Sequence, residues 1–278
     1  MKSKSSLLAQ SPQLSLLQFQ QILVSEGVQN TEQLKEIAKQ TIKYLSGNED
    51  ARNSLMHGQM LENRWYESLA TGVPDYSVYE TDYYLAELWA CWMVYSRKYL
   101  KEAEKPSSLP PFGVLSDTNP NVIVDVGCGF GYTTATLKQL FPNARVYATN
   151  LPNTFQFRVA TRMAEMYDFT LVPDVSYISE QADLVFASEY FEHFPEPIEH
   201  LQSIVSAIRP KSWIIANAFT AKAIGHFTNY MINGAPANGR TTNKVFADTL
   251  KRYGYQKIRT NLWNNRPSYW RLGESNAA

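Results

Sequence analysis

The stretch Val122-Ile123-Val124-Asp125-Val126-Gly127-Cys128-Gly129-Phe130-Gly131 decides the fold. An apolar run broken by a single aspartate passes straight into three glycines at alternate positions, and a helical pattern from Thr133 to Phe141 follows. Such a short apolar run, bounded by turn residues, reads as a strand buried on both faces. Glycine lets the chain turn sharply at the strand end and brings backbone close to a ligand, at the crevice where open α/β sheets bind nucleotides. The spacing G-x-G-x-G differs from the dinucleotide pattern G-x-G-x-x-G, and no lysine follows as a phosphate-binding loop requires. A pyrophosphate ligand is therefore disfavoured.

Downstream of this loop, short apolar runs alternate with helical patterns, which is the signature of βαβ units and a parallel sheet. The further strands are expected at Arg145 to Thr149, Phe169 to Val172, Ala182 to Ala187 and Ser212 to Ala216, with helices at Thr154 to Tyr167 and Pro197 to Ile208. A helix from Thr242 to Tyr253 is closed by Gly254. Two strand-like stretches, Gln256 to Trp263 and Ser268 to Leu272, then flank the turn Asn264-Asn265-Arg266-Pro267. Upstream, Leu34, Ile37, Ala38, Thr41, Ile42 and Leu45 recur at helical spacing between a capping box at Asn30 and Gln33 and a stop at Gly47. Further helices are expected over Ala51 to Ala70 and Glu80 to Lys101. Pro106, Pro110 and Pro111 mark the boundary, which gives a helical N-terminal cap over residues 1–111 and an α/β domain over residues 112–278.

Composition narrows the function classes. The chain has 278 residues, 44% hydrophobic and 19% charged, which is the ordinary globular range and excludes fibrous and disordered classes. Its 26 basic residues match its 26 acidic ones, so no overall field points to nucleic acid or an acidic membrane. The two cysteines, Cys91 and Cys128, form neither a zinc pattern nor a disulfide framework, which suits a reducing, cytoplasmic setting. The apolar residues of the first 25 positions are interrupted by Gln, Ser and Pro, so neither a signal peptide nor a membrane anchor is expected.

With Asp125 two residues ahead of the first glycine, the loop resembles motif I of the class I S-adenosylmethionine-dependent methyltransferases, and the terminal hairpin resembles the antiparallel last strands of that fold. The resemblance covers about Pro120 to Leu272. It implies a Rossmann-like α/β sheet of order 3-2-1-4-5-7-6, with S-adenosylmethionine lying across the carboxyl ends of the first strands. It places the cofactor against Asp125, Gly127, Cys128, Gly129 and Gly131, then Asn150 and Leu151 after the second strand, Asp174 and Val175 after the third, and Glu189 after the fourth. Asn150 departs from the family, which usually has an acid there for the ribose hydroxyls. An asparagine offers an amide oxygen without charge assistance. Cys128 reads as a small loop filler rather than a nucleophile.

Behind the fourth strand stands Ser188-Glu189-Tyr190-Phe191-Glu192-His193-Phe194-Pro195. In a helical turn Glu189, Glu192 and His193, at i, i+3 and i+4, share one face and suit a divalent cation such as Mg²⁺ or Mn²⁺. This E-x-x-E-H pattern is similar to that of ubiquinone-pathway O-methyltransferases and small-RNA 2′-O-methyltransferases, where it implies a metal site. His226, in the loop Ile224-Gly225-His226-Phe227, is the candidate fourth ligand. The other readings are a metal-free His193 acting with Glu192 as general base on the acceptor, and a purely structural pair.

Between Arg240 and Arg271, eight basic residues face the single acid Asp248, interleaved with Tyr253, Tyr255, Trp263, Tyr269 and Trp270. That composition suits phosphate contact with base stacking, and equally a solvated helix face beside a hairpin core. The resemblance thus implies methyl transfer to a hydroxyl of a small-molecule acceptor. RNA or a nucleotide, an amine acceptor, and a non-catalytic cofactor-binding subunit remain the alternatives.

Overall fold

A computed structural model of the chain describes residues 16–45, 56–90, 119–258 and 267–273. The N-terminal part supplies helices α1 (Leu16–Ser25), α2 (Thr31–Leu45) and α3 (Met56–Ala70), a 3-10 turn over Tyr76–Glu80, and helical residues 82–90. The proline-marked boundary at Pro106 to Pro111 lies outside the described residues. Then follow β1 (Val122–Val126), α4 (Tyr132–Leu140), β2 (Arg145–Thr149), α5 (Phe155–Tyr167), β3 (Thr170–Val172), β4 (Leu184–Ser188), α6 (Pro197–Ile208) and β5 (Ser212–Ala216). A short pair, β6 (Asn229–Ile232) and β7 (Ala235–Asn238), precedes α7 (Gly239–Arg252), β8 (Tyr255–Ile258) and β9 (Ser268–Leu272).

The seven-stranded sheet runs β3-β2-β1-β4-β5-β9-β8, parallel through its first five strands, with β9 antiparallel to β5 and β8 antiparallel to β9. With the separate β6–β7 pair set aside, this is the expected order. That pair is an addition to the expectation. Its turn is Asn233-Gly234, both at positive φ (50° and 76°), the left-handed geometry of a two-residue hairpin turn. Helix α7 begins three residues earlier than expected because the Asn238 side chain caps it, accepting from the Thr241 N–H at 3.0 Å. The outer part of the expected strand from Gln256 to Trp263, with its turn, lies outside the described residues.

Strand β1 divides its side chains between two cores, as period-two alternation requires. Ile123 packs with Phe130, Phe155 and Met163 on the α4–α5 side, whereas Val124 and Val126 pack with Phe191, Trp213 and Ile215 on the α6 side. The N-terminal helices share these cores: Leu23, Leu34, Leu85 and Trp89 belong to the first and Trp65 to the second. Each such side chain, fully buried, contributes about 1.5–3 kcal/mol. Polar contacts set their register, with the Trp89 indole donating to Tyr132 Oη at 2.7 Å and Glu26 pairing with Arg158 and Arg162 on α5. No described helix is long and apolar enough to cross a membrane.

Candidate active site

The three loop glycines all have positive φ: 68° at Gly127, 56° at Gly129 and 83° at Gly131, conformations an L side chain strains to adopt. Space is short as well. A Cβ on Gly127 would stand 2.3 Å from Tyr190 Cδ2, and one on Gly131 2.9 Å from Phe169 Cζ. Strand β2 holds the loop in shape, since Thr149 accepts the Gly127 N–H through Oγ1 at 3.1 Å and the Cys128 N–H through its carbonyl at 2.9 Å. Cys128 is buried, and burial pushes its thiol well up, so no thiolate nucleophile stands here.

Asp125 is 2% exposed and accepts the Thr134 hydroxyl of α4 at 2.6 Å. Desolvation pushes its pKa up to about 7, against which the threonine bond works. Asn150 uses both ends of its amide within the protein: Nδ2 donates to the Gly129 carbonyl at 2.7 Å and Oδ1 accepts the Leu151 N–H at 2.8 Å. It therefore pins the glycine loop to the end of β2. The Leu151 side chain, 69% exposed, offers an apolar surface at the same edge. Beyond the neighbouring strand β3, Asp174 accepts the Ser176 N–H at 2.8 Å and starts the 3-10 turn in which Val175 is buried.

Beyond β4 the chain forms a 3-10 turn over Phe191–His193 rather than an α-helical one, preceded by Glu189 at φ 50°. At three residues per turn, position i+4 no longer lies over position i. The expected trio is accordingly rearranged. One ligand atom each from Glu189, Glu192 and His226 lie within 4.8 Å of one another, and His193 stands outside this set. Glu192 is completely buried, with Oε1 accepting the Ala218 N–H at 2.7 Å and Oε2 lacking a hydrogen-bond partner among the described residues. Burial first, and the neighbouring Glu189 carboxylate second, push its pKa well above the carboxylate range. The Glu189 N–H donates to the Ala216 carbonyl at 2.7 Å, so the end of β5 anchors both acids.

His226, 4% exposed, has Nδ1 3.0 Å from the Ala221 carbonyl. A carbonyl only accepts, so Nδ1 carries the proton and the lone pair lies on Nε2. That is the orientation a backbone carbonyl gives to a ligating or proton-accepting imidazole. The His193 ring lies 4.9 Å from that of His226, perpendicular to it, and its Nδ1 is 2.8 Å from Tyr79 Oη. Burial, then the His226 ring, lower the His193 pKa to about 3. The ordinary imidazole basicity expected of a base at this position is absent.

Sequence reasoning passed over two participants. Tyr190 lies against Gly127 and bonds His200 Nε2 through its hydroxyl at 2.8 Å, and Thr134 serves Asp125. Only Thr134, one helical turn beyond the loop, had a local signal. Tyr79, expected as part of an aromatic cap over the cofactor cleft, reaches His193 from 114 residues away. In the basic segment, Arg240, Lys244, Lys251, Arg252, Lys257 and Arg271 are exposed, while Arg259, Arg266 and Trp263 lie outside the described residues. Tyr255, Tyr269 and Trp270 are buried core residues, which removes them as stacking platforms for bases.

Residues 124–216 match the family model described as a methyltransferase domain. Over 108 residues the chain is 27% identical to the malonyl-[acyl-carrier protein] O-methyltransferase of Hahella chejuensis, an alignment covering 38% of this chain and 39% of that protein. The chain thus matches about two fifths of that relative's length. Among solved structures, an O-methyltransferase family protein from Burkholderia thailandensis superposes with a TM-score of 0.49 at 12% identity, over 78% of this chain and 71% of that one. The SAH-bound methyltransferase of Podospora anserina gives 0.47 at 11% identity, over 82% and 97%. A domain match running from β1 to the end of β5, with the glycine loop between β1 and α4 on a sheet of the expected order, makes residues 124–216 a methyltransferase domain on a class I methyltransferase sheet.

Proposed function

We propose that the protein transfers the methyl group of S-adenosylmethionine to a hydroxyl of a small-molecule acceptor, beside a divalent cation held by Glu189, Glu192 and His226. The observation that carries this reading is the buried, unpartnered Oε2 of Glu192, beside a second carboxylate and an imidazole whose protonated nitrogen is already spent on a carbonyl. Burial raises the Glu192 pKa, the repulsion between two carboxylates brought together there raises it further, and a bound cation would relieve that repulsion. Two carboxylates with one imidazole suit Mn²⁺ or Mg²⁺.

The sulfonium methyl is electrophilic as it stands, so the chain contributes placement and one proton's removal. The glycine loop, pinned by Thr149 and Asn150, brings backbone close to the cofactor, and Leu151 supplies apolar surface at its edge. Glu189, Glu192 and His226 stand together beyond the ends of β4 and β5, where an acceptor would meet them. Held by these three residues, a divalent cation would lower the pKa of an acceptor hydroxyl. His226 would serve as a ligand to that cation rather than as a base, while His193, bonded to Tyr79, shapes the wall.

Incubation with methyl-labelled cofactor and fractionated cell extract tests the reading. Label is expected in small molecules, dependent on Mn²⁺ or Mg²⁺ and lost with chelator. Label confined to nucleic acid or protein contradicts the acceptor class, and label unaffected by chelator contradicts the cation.

A further inference from the structure

The 3-10 turn Tyr76–Glu80 belongs to the N-terminal part of the chain, yet its last two residues bond to opposite sides of the cleft. Tyr79 Oη lies 2.8 Å from His193 Nδ1, five residues beyond β4. Glu80 Oε2 accepts the Phe155 N–H at 3.2 Å, at the first turn of α5 beyond β2. Strand β1 lies between β2 and β4. Two strand spacings are about 10 Å, a span that two adjacent residues with long side chains pointing apart can bridge. The carboxyl end of β1, where the glycine loop begins, lies between these anchors.

We propose that residues 76–80 are a strap over the cofactor cleft, seated at Tyr79 and latched by Glu80, which must lift for the adenosyl cofactor to enter or leave. This rests on the reading of the glycine loop as the cofactor site. The two anchors differ in kind. The Tyr79 hydroxyl is seated against Gly225, at φ 85°, where a Cβ would stand 1.7 Å from Tyr79 Oη and 2.5 Å from His193 Nδ1. Its ring also packs against Tyr84 at 5.1 Å and Trp65 at 6.2 Å. Glu80 is exposed and holds α5 through one hydrogen bond. The start of the strap is fixed to α3, where Arg64 Nε bonds Asp75 at 2.7 Å and the Asp75 carboxylate in turn accepts the Ser77 N–H. With one end tied to α3 and the half-buried tyrosine held by His193 and its ring neighbours, Glu80 is the contact that releases first.

Stopped-flow fluorescence with S-adenosylhomocysteine separates a gate from a simple ligand contact. Glu80→Ala is expected to raise both the association and dissociation rates on the order of tenfold, the size of one charge-assisted hydrogen bond, with the dissociation constant within about threefold of the parent. A faster dissociation alone identifies Glu80 as a cofactor contact and overturns the strap, and so do unchanged rates. If the parent protein binds no S-adenosylhomocysteine, the cofactor reading fails, and amide exchange on the ligand-free protein still judges the strap. Tyr79→Phe is expected to speed exchange at the Phe155 amide severalfold through the shared segment; an unaltered Phe155 amide overturns the proposal whatever the ligand.

Discussion

Replacing Asp125 by Asn should stabilise the protein at alkaline pH and destabilise it slightly in acid. The carboxyl is 2% exposed, keeps one hydrogen bond, from Thr134 Oγ1, and has its pKa pushed from 3.8 to about 7 by desolvation. With the folded value above the unfolded one, the unfolded chain loses its proton first as pH rises, so ionisation favours unfolding progressively from about pH 4 to pH 7. A shift of about three units at 1.36 kcal/mol each sets a ceiling near 4 kcal/mol at pH 8, falling below about 1 kcal/mol at pH 4. Asparagine keeps an oxygen for Thr134 but brings two N–H donors into a buried place, which returns part of this gain. A net gain of about 2 kcal/mol corresponds to a rise of about 4–8 °C in melting temperature for a chain of this size. Thermal unfolding of both proteins at pH 4.5 and pH 8 is the assay. A variant no more stable than the parent at pH 8, or equally stabilised at both pH values, refutes the reasoning.

Three further outcomes follow from the site. Asn150→Asp removes the N–H that holds the Gly129 carbonyl and sets a charge against it, so S-adenosylhomocysteine affinity should fall roughly tenfold; equal or tighter binding means that the ribose, not the loop, is what this residue serves. Titration of Mn²⁺ followed by calorimetry should lose its heat in Glu192→Gln and His226→Ala and keep it in His193→Ala, whereas loss only in His193→Ala restores the helical i, i+3, i+4 ligand set. Gly127→Ala combines a positive φ with a Cβ 2.3 Å from Tyr190 and should cost about 2 kcal/mol or more in urea unfolding; a neutral substitution shows that the tyrosine ring yields freely.

The parallel sheet was legible because its strands are short apolar runs set between turn residues, a pattern that survives packing on both faces. The β6–β7 pair carries a plain Asn-Gly turn signal, yet its strands have four residues each and include Pro236, too little alternation to register. The carboxylate cluster was legible in composition and misjudged in geometry. The i, i+3, i+4 spacing assumes an α-helical turn, and the 3-10 turn at Phe191–His193 sends His193 to Tyr79 and leaves the place to His226. The aromatic residues of the basic segment show the same limit. Tyr269 and Trp270 are adjacent and both buried because β9 runs between β5 and β8 with both faces covered, an environment that alternation does not reveal. Tyr79 and Glu80 act at separations of 114 and 75 residues, where no spacing rule applies.

Calorimetric titration of S-adenosylhomocysteine into the full chain and into Gly129→Val tests the central claim most directly. Gly129 is buried at φ 56° and its carbonyl is held by Asn150, so a branched side chain there fills the space in which backbone meets cofactor. Saturable one-site heat in the parent, lost in the variant while its far-ultraviolet circular dichroism is retained, is the predicted result. No heat in the parent, or the same affinity in Gly129→Val, contradicts the placement of the cofactor on this loop.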